Sequence, residues 1–410
     1  MTLVTGSEDA AYILQRMTVP SAAAGTLKFE IVSTPSAIEK DWRELETRAV
    51  GGPFQRFDFY QSWLATLGRR CRPLVLTARR TGRLVAVLPL VTRRIGPAVV
   101  AEFAGGSHAT YNLGLFDRLA WKSTAPSLAK GLRAAFADSG AGVDLVRLRF
   151  QPGEIDGFPN PFVDARSALS PHATYDLSLE GGFDAVLERH KGTRKRRRMR
   201  QQAGGFKAAG GYRVRRAENA DDALAILDAF FEQKAARFAS QGIPNVFAKP
   251  GTAAFLSDLV DRAFRPCGLD HPPLLVYALE TDRGIAATGF LHAYDGTAHL
   301  AMNSFAQDEF ARLGPGDLAL FHIIEDLANR GFERFDFGVG DARYKQSWYD
   351  REIRLHDTVI PLSPAGSIAA GAVALSRRAA DRIRANPKLH RLAQRIRSGR
   401  IARSDAGQDE

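Results

Sequence analysis

The sequence predicts an α+β fold of two tandem units, each a mixed, mostly antiparallel sheet flanked by helices. Three observations carry that expectation. PLVLTARRTGRLVAVLPL, starting at Pro73, and PLLVYALETDRGIAATGF, starting at Pro273, agree at six of eighteen aligned positions. Each reads as two β-rich runs joined by a short polar turn, Thr81-Gly82 in one and Thr281 to Gly284 in the other. The order of elements then repeats: AVVAEFAG, a helix near Ser123–Ala137 and VDLVRLRF in the first half; AHLAMNSF, a helix near Asp317–Asn329 and FERFDFGV in the second.

Helical material precedes each hairpin. EKDWRELETRAV and FDFYQSWLATLG supply it in the first half, with Phe59, Trp63 and Leu67 four residues apart. In the second half a helix is expected over FDAVLERHKGTRKRRRMRQQ and another over DDALAILDAFFEQKAARF, with Asp221 as its cap. The expected organisation is a flexible leader over 1–26, a first unit over 27–172, a second over 173–363 and a basic tail over 364–410. Leu389, Leu392 and Ile396 form a short apolar stripe in that tail, which is placed outside the core.

At 410 residues the chain suits two domains, and 45% hydrophobic with 25% charged residues is a globular composition. No run reaches the length of a membrane-spanning helix, and acids at Glu8 and Asp9 break any signal pattern, so a cytoplasmic protein is expected. Cys71 and Cys267 match no metal spacing. His292 and His299 fall on adjacent strands and could face each other, but no third ligand accompanies them, and no metal is expected.

The net charge of +11 is concentrated. RHKGTRKRRRMR, residues 189–200, carries +8 and the stretch 377–403 carries +9, so the rest of the chain is acidic. Few aromatics interleave with these arginines, which argues against specific nucleic-acid binding. The tail suits weak contact with an acidic membrane surface.

The chemistry-bearing segment starts at Ala311-Arg312-Leu313-Gly314-Pro315-Gly316. A strand, a glycine turn and a helix place unpaired N–H groups and the positive end of a helix dipole at one spot, which suits a phosphate. No Gly-Lys-Ser/Thr follows, so this is not a Walker loop, and the Rossmann pattern is not completed. An antiparallel hairpin feeding such a turn, then a helix and a short strand, resembles the acetyl-CoA-binding core of the GNAT acyltransferases. In them a Q/R-x-x-G-x-G/A turn takes the pyrophosphate; Gly314 and Gly316 match, while Ala311 stands in the first position.

FDFGVGDARYKQSWYD sharpens the likeness. Asp336, Phe337, Gly340, Asp341, Tyr344, Lys345 and Trp348 follow the Asp-Phe-x-x-Gly-Asp/Glu-x-x-Tyr-Lys-x-x-Trp pattern of CelD/BcsL-type acetyltransferases of cellulose and exopolysaccharide biosynthesis. Lys191, Arg194, Arg197 and Arg200 echo that group's upstream basic helix. Over residues 28–362 the chain is similar to this group, which is related to the FemAB-like transferases.

The resemblance implies acyl transfer from acetyl-CoA, or another acyl-CoA, to a sugar- or amine-bearing acceptor. Arg312, Leu313, Gly314, Gly316, Asp317, Asn303 and Ser304 would contact the donor, with a β-bulge within Ala301–Ser304 offering a backbone N–H to the oxyanion. Asp341 is the first choice of base, Asp336 the second, and Tyr344 would protonate the thiolate. Lys345, Trp348, Lys191 and Arg194 would bind the acceptor or its anionic groups. His322 is expected to pack or lie at the surface. Lacking a GxG turn ahead of its helix, the first unit is expected to have lost the donor site and to shape an acceptor cleft. Two alternatives stand beside this reading: an aminoacyl-tRNA-dependent peptidyltransferase, and a non-enzymatic basic nucleic-acid binder.

Overall fold

The computed structural model describes residues 26–265, 272–340, 342 and 344–385. In the first half run β1 (Leu27–Val32), α1 (Glu39–Glu46), β2 (Ala49–Val50), α2 (Phe57–Ala65), β3 (Arg72–Arg80), β4 (Arg83–Ile95), β5 (Ala98–Phe103), β6 (Leu115–Asp117), α3 (Trp121–Asp138), β7 (Leu145–Pro152), β8 (Glu154–Ile155) and β9 (Phe158–Pro159). After them come β10 (Ala168–Ser178), α4 (Gly182–Arg189), α5 (Gly192–Ala208), β11 (Arg213–Arg216), α6 (Ala220–Ser240), α7 (Thr252–Ala263), β12 (Leu274–Thr281), β13 (Gly284–Tyr294), β14 (Thr297–Phe305), α8 (Pro315–Asn329), β15 (Arg334–Val339), β16 (Arg351–Pro361) and α9 (Pro364–Ala385).

One continuous sheet joins the two units, in the order β1-β3-β4-β5-β7-β16-β10-β15-β14-β13-β12-β11. Read inward from either edge, the order is the same: outer strand, hairpin, third strand, then a parallel neighbour, β5 with β7 and β14 with β15. At the centre the units exchange their last strands. β10 pairs antiparallel with β15, and β16 pairs antiparallel with β7. The expected boundary between residues 172 and 173 falls within β10.

Both faces of the sheet are covered, which is why its strands read as nearly unbroken apolar runs. Val75, Val87, Val276 and Phe290 point into a core shared with Trp42, Tyr60, Phe230 and Phe255 from helices of both units. Their alternates turn the other way. Leu74, Leu76 and Leu88 pack with Leu128 and Leu132 of α3. Leu275, Leu279 and Leu291 pack with Leu318, Ile324 and Leu327 of α8.

Several local expectations are corrected. The basic helix is two helices, broken at His190–Lys191, where Lys191 takes a left-handed φ of 57°. Asn219, not Asp221, caps α6 by accepting the Asp222 N–H at 2.9 Å. Residues after Pro364 form a docked helix: Ala369 and Ala370 pack near Val100, Leu145 and Val359, and a Cβ at Gly366 would strike the Asp144 carbonyl. Leu389, Leu392 and Ile396, like the leader, lie outside the described residues.

Strand exchange makes each half depend on the other. Residues 26–172 and 173–385, produced separately, are expected to lack cooperative unfolding and near-ultraviolet circular dichroism, and to regain both when refolded together. Independent cooperative melting of either half would contradict the exchange.

Candidate active site

The site forms where β14 leaves β15. These strands pair in parallel at Thr297–Arg334, Ala298–Phe335 and His299–Asp336, and no pairing between them continues beyond. On its other side β14 shifts register against β13: Phe290 opposes Met302 and Leu291 opposes Leu300, leaving Ala301 as the extra residue of a bulge. A bulge re-aims the backbone groups around it. Gly338, at φ 70°, is the hinge on the β15 side, since a Cβ there would lie 2.8 Å from the Leu300 carbonyl oxygen.

A cavity of about 430 Å³ opens at this point, between the units. The second unit contributes Ala301, Asn303, Tyr344 and the apolar wall of Phe255 and Leu259; the first contributes Phe59, His108 and Thr110. Tyr344 is hydrogen-bonded to Asn303, and burial pushes its phenol up to about 12, so it holds its proton at neutral pH. Asp341 lies outside the described residues.

Further along β14, Phe305 reaches the start of α8, where a Cβ on Gly316 would lie 3.2 Å from its ring. From Ala301 to Phe305 an extended chain covers about 13 Å. Gly314 precedes the helix at φ 72°, and its end carries no side-chain cap. α5 lies alongside. Gln202 Nε2 comes within 2.2 Å of where a Gly314 Cβ would be, Leu313 packs against Gly205, and Arg198 pairs with Asp317. Arg189, His190, Lys191, Arg194, Lys195 and Arg198 then line a recess of about 490 Å³ with Gln346 and Ser347. Burial, then the charges of Arg198 and Lys191, pull the Lys195 ammonium down to about 8. So much positive charge beside an uncapped helix start suits an anion. Arg312 is exposed beside it.

At the first unit's equivalent end the chain places a carboxylate of its own just ahead of the helix. Asp117 accepts the N–H groups of Leu119 and Ala120, each at 3.0 Å, at the start of α3, and pairs with Arg48 at 2.9 Å.

Other expected site residues are engaged in contacts within the chain. Asp336 is buried in a small polar recess lined also by Tyr111, Thr174 and His299, on the same face of the sheet as His292. It accepts from the Thr174 hydroxyl and from the Gly338 N–H at 2.6 Å, and lies 3.2 Å from His299 Nδ1, which is 3.0 Å from the Tyr111 hydroxyl. Burial raises its pKa, but His299, Thr174 and Gly338 more than offset that and hold it below the usual carboxylate value. Asp336 is not among the residues lining the cavity, and its carboxylate ties β15 to β10 and β14. His299 does stand opposite His292 in register. Lys345 lines the cavity but donates to the Gly338 and Val339 carbonyls at 2.9 and 3.1 Å, so its ammonium anchors the end of β15 instead of awaiting a phosphate. Trp348 packs in the core with Phe321, with the Lys195 ammonium 4.2 Å from its ring centre. The Ser304 hydroxyl points away from the cleft, donating to Gln233 Oε1 at 2.6 Å beside Thr288. His322 is half-buried, 3.0 Å from Glu325.

His108 escaped notice in the sequence. The available signal was the Gly105–Gly106 pair before it, both at positive φ, which turns the chain into the cavity.

Residues 193–346 match the family model described as an acetyltransferase (GNAT) domain. That match spans less than half of the chain and falls within the expected span of the second unit. Three solved structures are similar across nearly their whole length. The C-terminal domain of a putative lysylphosphatidylglycerol synthetase from Agrobacterium fabrum aligns over 83% of this chain and 96% of its own, at 14% identity and a TM-score of 0.50. FemX aligns over 80% and 98%, at 9% and 0.53. A conserved protein of unknown function from Bacteroides thetaiotaomicron aligns over 82% and 100%, at 11% and 0.51. At these identities the likeness is one of fold. Among curated proteins none matches the chain.

The Asp336 network has a pH signature. Because the folded pKa is depressed, its stabilisation is complete above the unfolded value of about 3.9 and is lost as pH falls through the lower folded value. Asp336→Asn should cost about 3 kcal/mol near pH 7 in denaturant melts, with a shallower fall in stability below pH 4 than the parent. Equal acid slopes would contradict this.

Proposed function

We propose that this chain is an acyl-CoA-dependent N- or O-acyltransferase. The observation that carries the reading is the bulged, unpaired stretch of β14 at the mouth of the cavity. An unpaired strand edge is a template for another extended chain bearing amides, and the pantetheine arm of CoA is such a chain. It would lie along residues 301–305, thioester at the bulge and diphosphate at Gly314–Asp317. The neighbouring recess, with Lys191 and Arg194, would attract its remaining phosphate. Acyl transfer then needs an oxyanion donor, a base and an acid for the thiolate. The re-aimed N–H groups near Ala301 suit the first task, and Tyr344, protonated at neutral pH, suits the third.

The acceptor would enter from the first unit's side, making that unit, over 27–172, the acceptor half. The likeness of FDFGVGDARYKQSWYD to the CelD/BcsL-type pattern favours a sugar hydroxyl or amine of an envelope polysaccharide. The described helices include none long and apolar enough to cross a membrane.

Acetyl-CoA should raise the melting temperature of the full chain; a hundredfold excess over Kd is worth about 2.7 kcal/mol. Gly316→Val should abolish most of that shift. Tyr344→Phe should keep the shift and slow CoA release about a hundredfold. Stabilisation by tRNA and not by acetyl-CoA would replace this reading with aminoacyl transfer.

A further inference from the structure

We infer that the first unit supplies the general base, His108, to the reaction of the second. This rests on the acyltransfer reading and names a residue of the same site. His108 closes a short turn over Gly106–His108, its N–H donating to the Gly105 carbonyl at 2.8 Å. A Cβ on Gly105 would strike Ala109 and the Phe59 ring, so the turn is held closely from behind. The imidazole stands edge-on to Phe255 of α7, ring centres 5.3 Å apart. Two residues on, Thr110 Oγ1 lies 3.6 Å from the Cβ position of Gly338, the hinge where β15 parts from β14. His108 therefore shares one cavity with the bulge at Ala301 and with Tyr344.

Among the described residues, the other titratable groups facing this cavity are less suited. His292, on β13, is sealed among Phe54 and Phe59, and burial with the His299 charge pulls it down to about 3, too weak a base. His172, on β10, is exposed at the rim with its ring against Phe150. Lys345 is bound to carbonyls, and Tyr344 keeps its proton. His108 is half-buried. Burial, and then the charge of Lys249, lower its pKa, which leaves the ring neutral at pH 7.

The step balances without further reagents. The acceptor's nucleophilic atom attacks the thioester carbonyl while its proton passes to a ring nitrogen of His108. The tetrahedral adduct collapses with cleavage of the C–S bond, and the departing thiolate takes the Tyr344 proton. His108 and Tyr344 then re-equilibrate through solvent.

The test uses the full chain with acetyl-CoA as donor and water, simple amines and amino sugars as acceptor probes, with CoA formation followed by chromatography. His108→Gln should lower the rate by about 10²–10⁴-fold and leave the thermal shift by acetyl-CoA unchanged. His108→Ala should regain activity with added imidazole, and the acid limb of kcat/KM seen in the parent should vanish. Full activity in His108→Gln overturns the inference, as does a comparable loss, rescuable by no imidazole, confined to Asp341→Asn or His172→Gln. Acetyl-CoA binding without CoA release to any probe also counts against it. Absence of both binding and release in the parent would instead fell the acyltransfer reading, and this inference with it.

Discussion

The site depends on one geometric constraint: β14 and β15 run side by side for three residue pairs and then part. Two backbone features enforce the parting. Ala301 is inserted as a bulge against β13, and Gly338 brings β15 close to the Leu300 carbonyl, a contact that any side chain would prevent. The last paired residues, His299 and Asp336, are held together under the fork by a buried polar network with Thr174 and Tyr111. Buried networks of this kind fix one arrangement because leaving any member unpaired is expensive. The open strand edge, the cavity and the line of β14 toward α8 all follow from the fork.

Duplication explains the frame and divergence explains the chemistry. Both units keep the hairpin, the third strand, the helix and the parallel neighbour. They differ at the helix start. In the first, Asp117 accepts the N–H groups of Leu119 and Ala120 just ahead of α3 and sets a carboxylate beside that end, which is unfavourable to an anion. In the second, glycines and a proline leave the start of α8 without a side-chain cap, and the basic helix α5 lies against it. The β4–β5 ladder also runs without the register shift that marks β13–β14. One copy thus carries an anion-attracting corner and a bulged edge, while the other carries neither and lends side chains to the shared cavity.

Local patterns in the sequence disclosed much of this. The paired hairpins were visible because alternating apolar residues and turn chemistry act over a few positions, and the Gly-Pro-Gly turn announced the start of α8. What stayed hidden was set by distance in the chain. The exchange of β10 and β16 joins residues far apart in the chain, Ser178 with Arg334 and Pro361 with Leu145, and leaves no periodic trace. Lys345 and Trp348 fit a family pattern, yet contacts with Gly338, Val339 and Lys195 give them anchoring work. Ser304 follows Asn303 on a strand, so when one faces the cleft its neighbour must face the core. His108, one of the cavity's histidines, came from the other unit, where no motif pointed.

Amide hydrogen exchange with and without acetyl-CoA tests the fork most directly. Protection is expected at residues 300–305 and 314–318 when the donor is present, with little change along the equivalent β5 and the start of α3. Unchanged exchange at both second-unit segments, under conditions where acetyl-CoA is bound, would contradict the account.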